Sequence, residues 1–198
     1  FAAFNRLKKD TLYLNAIKEL KSQGAEVIEI DEEEIDLPDF LRLLNLDMKK
    51  DLPVYFKNHG NQELLVANVQ DVIDYNAKDS IKTAPYGQKL FKGIVRDIAT
   101  DEEFESIKKT LNNNGKAYFD KAFEEHQLDG FLSINNYHAG FAAVAEYPAL
   151  TVPMGFEKNG APKGLTFIAK PLQEKQLLEW AYAYEQASKA RKSPEKYK

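Results

Sequence analysis

Six serines (Ser22, Ser80, Ser106, Ser133, Ser188 and Ser193) and three histidines (His59, His126 and His138) are the hydroxyl nucleophiles and imidazole bases of this chain, which has no cysteine. A serine attacks an acyl carbon only when a neighbouring base takes its proton and backbone N–H groups receive the oxyanion, often from a glycine-rich loop. No serine here has a serine neighbour or a Gly-Ser-Gly context, and both Gly-x-Ser-x-Gly and a glycine-rich phosphate loop are absent. The histidines lie far apart and form neither HxxxH nor HExxH, so surface or internally satisfied imidazole outweighs a zinc site. The acid pairs Glu102-Glu103 and Glu124-Glu125 read as solvated helix faces, and the acidic run over 31–36 reads as a solvated loop. Trp180, Tyr182 and Tyr184 read as core and rim of a helix rather than a ligand box.

The best candidates for a functional role are Asn135, Asn136, Tyr137 and His138. They follow LDGFLSI at 128–134, a segment that reads as a strand, and layered α/β proteins place ligands at strand ends. The plainer alternative is a polar turn in which Asn135 or Asn136 caps the following helix.

The elements that must position these residues are legible in part. Residues 5–23 space Leu7, Leu14, Ile17 and Leu20 along one helical face, and Gly24 suits the position after the helix. AEVIEI at 25–30 then reads as a strand with Val27 and Ile28 packed centrally, the αβ step of a layered α/β protein. Pro38 fits the first turn of a helix over 39–50 that carries Phe40, Leu43, Leu44 and Leu46, and Asn68 is a plausible start for VQDVIDYNAK. Thr100 and Glu103 make a capping box for a long helix through Phe104, Ile107, Leu111, Tyr118 and Phe119, with a break or bend expected at 112–115.

The stretch over 142–191 is the most regular. A small-residue helix (Ala142, Ala143, Val144, Ala145) stops at Tyr147-Pro148, because proline denies the preceding residue the α conformation. Residues 149–152 form a short apolar run closed by Pro153-Met154-Gly155, Asn159-Gly160 is a turn, and 164–169 is a second apolar strand. Residues 173–189 are a helix burying Leu177, Leu178, Ala181, Tyr184 and Ala187, and 192–198 is a frayed, disordered basic tail.

Hydrophobic and charged fractions of 43% and 29% are those of an ordinary globular chain, long enough at 198 residues for one substantial core or part of a larger one. The formal charge of −4 argues against nucleic acid as a partner, because phosphate binding needs a basic face. No apolar run approaches the length of a transmembrane helix. Zero cysteine fits cytoplasm and exterior equally, so the compartment stays open. The start Phe-Ala-Ala-Phe suggests a fragment, a processed product or an artificial boundary.

The run AEYPALTVPMGF, then GAPKGLTF, then EKQLLEWAYAYEQASKAR resembles the C-terminal end of amidase signature hydrolases. The looser resemblance extends over nearly the whole chain: Gly24-Ala25-Glu26-Val27, the peptide-amidase-like DMKKDLPVYFKN and VQDVIDYN, Gly87-Gln88 before a helix, and the Leu128-Asp129 strand. The chain departs from the family's pattern at Ile134-Asn135-Asn136, at Glu146 and at Ala169, the last two being positions where glycine is usual. The resemblance implies an α/β fold, the C-terminal part of a mixed β-sheet covered by helices, with 1–198 as one partial domain. It implies a parent enzyme that cleaves a carbon–nitrogen amide bond with a Ser nucleophile, a second Ser at a cis peptide and a Lys base, all N-terminal to the region matched. This chain would then supply scaffold and part of the pocket wall, with Asn135, Asn136, Tyr137 and His138 bordering a small amide substrate. Alone it would be inactive and use no cofactor, and the missing N-terminal half or a second copy would cover its apolar surface. Two alternatives stand beside this: a free-standing non-catalytic binding or assembly domain that reuses the fold, and part of an amidotransferase subunit.

Overall fold

Ala2–Phe4 (β1) is only three residues long, yet it lies inside the sheet with parallel partners on both sides, Ile28–Ile30 (β2) and Gly130–Ile134 (β3). The computed structural model describes residues 1–61 and 63–194 and divides into two compact units, Phe1–Leu37 with Leu111–Lys198, and Pro38–Thr110. In the first unit, Pro162–Ala169 (β5) runs antiparallel to β3, and Ala149–Phe156 (β4) runs antiparallel to β5. The sheet order is therefore β2-β1-β3-β5-β4, mixed, with β4 at one edge.

The helix expected over 5–23 is divided. Asn5–Lys9 is a 3-10 turn, and Thr11–Ser22 (α1) starts only after Asp10, whose carboxylate accepts from the Leu12 and Tyr13 N–H groups. A capping carboxylate ends one helical segment and opens the next. Tyr13, Ala16, Ile17 and Leu20 turn inward, and the buried Tyr13 hydroxyl donates to the Leu132 carbonyl at 2.7 Å, tying α1 to β3. Val27 is buried as expected, but Ile28 is 36% exposed, because β2 is the opposite edge of the sheet.

Asp101–Glu125 (α6) and Ala139–Ala145 (α7) pack against each other through Gly115. A Cβ placed there would lie 2.7 Å from the Ala145 nitrogen and 2.8 Å from the Phe141 carbonyl oxygen. The bend expected at 112–115 is absent: the glycine lets two backbones approach, and Asn112 Nδ2 donates to the Val144 carbonyl at 2.8 Å. The α6 capping box forms as expected, Thr100 N to Glu103 Oε2 at 2.9 Å and Glu103 N to Thr100 Oγ1 at 3.1 Å.

β4 does not close at Pro153 but continues to Phe156 through an irregularity between Pro153 and Gly155. The Asn159-Gly160 turn is present, with φ of 85° at Gly160 and Asn159 Oδ1 accepting from Ala161 N. Glu174–Ser188 (α8) buries Leu177, Ala181 and Tyr184, whereas Leu178 is 61% exposed on the opposite face. Of the tail expected over 192–198, residues 192–194 carry no regular secondary structure, and 195–198 lie outside the described residues.

The second unit holds Phe40–His59 (α2), Val69–Ala77 (α3), Ser80–Thr83 (α4), Lys89–Arg96 (α5) and the first turns of α6. Pro38 precedes α2 by two residues, and the helix runs on through Pro53 to His59, well beyond the end expected at Lys50. Asn68 forms a full capping box with Asp71 at the start of α3. The core here is thin: Val69, Ile73 and Ile94 are buried, with Leu52, Phe91 and Val95 partly so. No residue of α2 is fully buried, and Leu41, Leu44, Met48 and Tyr55, spaced to share one helical face, are 58%, 48%, 43% and 58% exposed. Polar contacts hold it instead, Arg42 Nε to Asp97 at 3.3 Å, Asn45 Nδ2 to Asp97 at 3.1 Å, and Lys49 to the Val95 and Asp97 carbonyls.

Candidate functional site

Strand β3 is buried along its whole length and delivers residues 135–138 as a tight turn into α7. Asn135 adopts the left-handed region at φ 48°, which asparagine tolerates better than most residues. Its polar groups are all consumed by scaffold. The amide donates to the Gly164 carbonyl at 2.9 Å, Oδ1 accepts from Gly164 N at 2.7 Å, and the carbonyl accepts from Thr166 Oγ1 at 2.5 Å. Because Thr166 spends its one hydroxyl proton on Asn135, Thr151 is the donor in the 2.7 Å Thr151–Thr166 pair. Asn135 thus pins the turn to β5 and, through Thr166, to β4.

The neighbours divide differently. Asn136 and Tyr137 are exposed, and His138 is wholly buried at the N-cap position of α7 without a side-chain capping bond. Neither asparagine caps α7 through its side chain; Asn136 contributes its carbonyl, accepting from Ala139 N at 3.1 Å.

His138 is the hub of a polar chain. Its Nδ1 lies 2.6 Å from Ser133 Oγ and its Nε2 lies 3.2 Å from Glu32 Oε1, and Glu32 in turn accepts from Arg6 Nε at 2.8 Å. The ring stacks on Phe4 with centroids 4.3 Å apart, and Tyr118 lies 5.9 Å away. Burial lowers the His138 pKa below the usual imidazole value; the bond and charge of Glu32 work against that shift, and Arg6 adds to it. Burial also raises the Tyr118 phenol, whose hydroxyl is buried without a hydrogen-bond partner.

Ser, His and carboxylate in this order resemble an activated nucleophile. Access decides otherwise, because Ser133 is 0% exposed and no acyl group can reach its Oγ in this conformation. Among the described residues, no three His, Asp or Glu side chains stand together as a metal site.

A hollow of about 590 Å³ lies along the β4–β5 hairpin, walled by Val152, Pro153, Phe156 and Pro162, with Asn135 and Thr151 at one side and Arg191 and Lys192 at the rim. Of the four residues singled out in the sequence, Asn135 alone lines it.

The partners of His138 were not legible in the sequence. Glu32 sits 106 positions away inside the acidic run, and the solvated loop expected there is bound in detail. Asp31 accepts from Asn5, Glu32 from Arg6, Glu33 from Lys121, and the Asp36 carbonyl from Asn114.

No family model matches the chain. It is 27% identical to a probable amidase of Arabidopsis thaliana over 198 residues, 95% of this chain and 38% of that protein. Among solved structures, an amidase family protein of Bacillus anthracis superposes with a TM-score of 0.85 at 31% identity, over 98% of this chain and 39% of that one. The homologues and structural neighbours are amidase signature enzymes, and the five-stranded mixed sheet with its helices is the corresponding part of their fold. More particularly, the peptide amidase of Stenotrophomonas maltophilia covers all of this chain at 27% identity and a TM-score of 0.81, with 44% of its own length matched. One subunit of a glutamyl-tRNA(Gln) amidotransferase from Nostoc matches more strongly but briefly, 53% over 45 residues, and lies within the same family. The chain spans about two fifths of the length of the relatives it matches end to end. Among the described residues, no helix is long and apolar enough to cross a membrane.

Proposed function

We propose that this chain is the C-terminal portion of an amide-hydrolysing enzyme of the amidase signature type, and that it contributes one flank of the sheet and part of the substrate wall. The observation that carries this reading is the asymmetry of the match, which runs along 95–100% of this chain but only 38–44% of its relatives. Two surface features support it. Strand β4 has β5 as its partner on one side and none of the described strands on the other, beside the apolar hollow, and α2 leaves a row of apolar side chains uncovered. An unpaired strand edge and an uncovered apolar row are surfaces that proteins normally cover.

In this reading the nucleophile, the second serine and the lysine base belong to the remainder of the enzyme, which would cover these surfaces. Asn136 and Tyr137 face the substrate, and Asn135 and His138 hold them. The substrate is a small amide, and the Ser/Lys chemistry needs no cofactor. The test is hydrolysis of simple aryl amides by the 198-residue chain and by the whole protein from which it derives. The chain alone should show no turnover above background, and the whole protein should be active. Turnover by the chain itself that disappears in Ser133→Ala would overturn the reading, since Ser133 is the serine that has a base beside it.

A further inference from the structure

The chain Ser133–His138–Glu32–Arg6 has a definite proton inventory. The Glu32 carboxylate, held by Arg6 at 2.8 Å, can only accept, so His138 Nε2 must carry a hydrogen. In a neutral ring Nδ1 then offers a lone pair, and Ser133 Oγ donates to it across 2.6 Å. A second proton on the ring would make Nδ1 a donor and leave the Ser133 hydrogen without an acceptor, because Ser133 Oγ has no other hydrogen-bond partner among the described residues. An unsatisfied buried donor costs about 1–3 kcal/mol. The groups around the ring come from four elements: Arg6 from the 3-10 turn, Glu32 from the segment after β2, Phe4 from β1 and Tyr118 from α6. Strand β3 and helix α7 bring no charged side chain.

We propose that Ser133, His138, Glu32 and Arg6 form a proton-dependent latch. With His138 neutral and protonated on Nε2, the latch fixes the 135–138 turn against the segments that follow β1 and β2, and a second proton on His138 releases that turn. The bearing of the latch on catalysis rests on the amidase reading above; its existence does not.

The test is a titration of the full chain from pH 7.5 to 5, following the ring nitrogens of His138 by 1H–15N correlation and the exchange protection of the Asn136 and Tyr137 amides. At pH 7.5 the ring should be neutral with its hydrogen on Nε2. Protection at Asn136 and Tyr137, corrected for intrinsic exchange, should fall about tenfold per pH unit once linkage to one proton sets in. Glu32→Gln keeps an acceptor for Nε2 but removes the charge that favours imidazolium, so release should move to lower pH. Three results would overturn the latch: a hydrogen on Nδ1 or a charged ring at pH 7.5, protection that ignores the titration of His138, or labelling of Ser133 by a serine-directed fluorophosphonate at pH 7.5. None of these readouts uses amide turnover, so failure of the latch and failure of the amidase reading are told apart.

Discussion

Replacing Gly115 with alanine separates two opposite expectations. In an exposed helix interior, Gly→Ala stabilises by about 1 kcal/mol, because alanine restricts the unfolded backbone and favours helix. At Gly115 the new methyl would lie 2.7 Å from both the Ala145 nitrogen and Val144 Cγ2, and 2.8 Å from the Phe141 oxygen. Two of these are backbone atoms of α7 and cannot rotate aside, so α6 and α7 must move apart. Overpacking of this kind costs about 1–3 kcal/mol. The same movement stretches the Asn112–Val144 bond of 2.8 Å, worth about 1 kcal/mol. Against the propensity gain of about 1 kcal/mol, the net effect is a loss of about 1–3 kcal/mol. At about 2–4 °C per kcal/mol for a chain of this size, Tm should fall by several degrees. Urea unfolding followed by circular dichroism measures it directly. A Gly115→Ala chain more stable than the parent would refute the close approach of α6 and α7.

Three further substitutions test other joints. Tyr13→Phe removes the donor to the buried Leu132 carbonyl and should cost about 1–3 kcal/mol in the same unfolding assay. Glu146 sits at φ 62° after α7, so Glu146→Gly should gain about 0.5–1 kcal/mol, the relief of left-handed strain outweighing the entropy of a more flexible unfolded chain; a loss would show that Glu146 is held by something other than its backbone. Burial raises the Asp10 pKa, but the bonds from Lys163, Tyr13 N and Leu12 N outweigh it and leave the carboxyl below its usual value. Its stabilisation is therefore full above the unfolded value near 4 and lost as pH falls through the folded pKa, and Asp10→Ala should cost about 0.5–2 kcal/mol at pH 7 with a flatter acid limb. His138 has the opposite charge logic: its folded pKa is lowered, so below about pH 6.5 the unfolded chain takes up a proton that the folded chain resists, and stability falls with acidification. His138→Gln should remove that component, as thermal melts between pH 7.5 and 5 would show.

The legible elements were those whose signals are local. Two capping boxes, at Asn68 and Thr100, and the Asn159-Gly160 turn are closed within a few residues and form as their sequences imply. Elements defined by distant partners were not. Ala2–Phe4 has too few residues for any period and becomes a strand because β2 and β3 supply hydrogen bonds on both sides. Gly115 looks like a helix breaker in a one-dimensional reading, and its purpose is visible only when α7, about thirty positions onward, is packed on it. The glycine expected by family pattern at 146 has a local reason, the positive φ there, which this chain meets with a glutamate.

The candidate site shows the same limit more sharply. Residue type marked 135–138 as polar and placed after a strand, and both are correct, but type alone does not say where the polarity is spent. Asn135 spends three polar groups on Gly164 and Thr166, and His138 spends two nitrogens on Ser133 and Glu32. Two of the four residues are therefore structural supports, and the outward pair Asn136 and Tyr137 is what remains for recognition. The consequence can be measured in the whole enzyme. If Tyr137 contacts substrate, Tyr137→Phe and Tyr137→Ala should raise KM or lower kcat while leaving Tm within about 1 °C, because substitutions of an exposed side chain change stability by only about 0.5 kcal/mol. Asn135→Ala should do the reverse, lowering Tm first, since it leaves the Gly164 amide without its partner. Equal losses of stability at both positions would mean that the turn is all scaffold and that the recognition surface lies elsewhere.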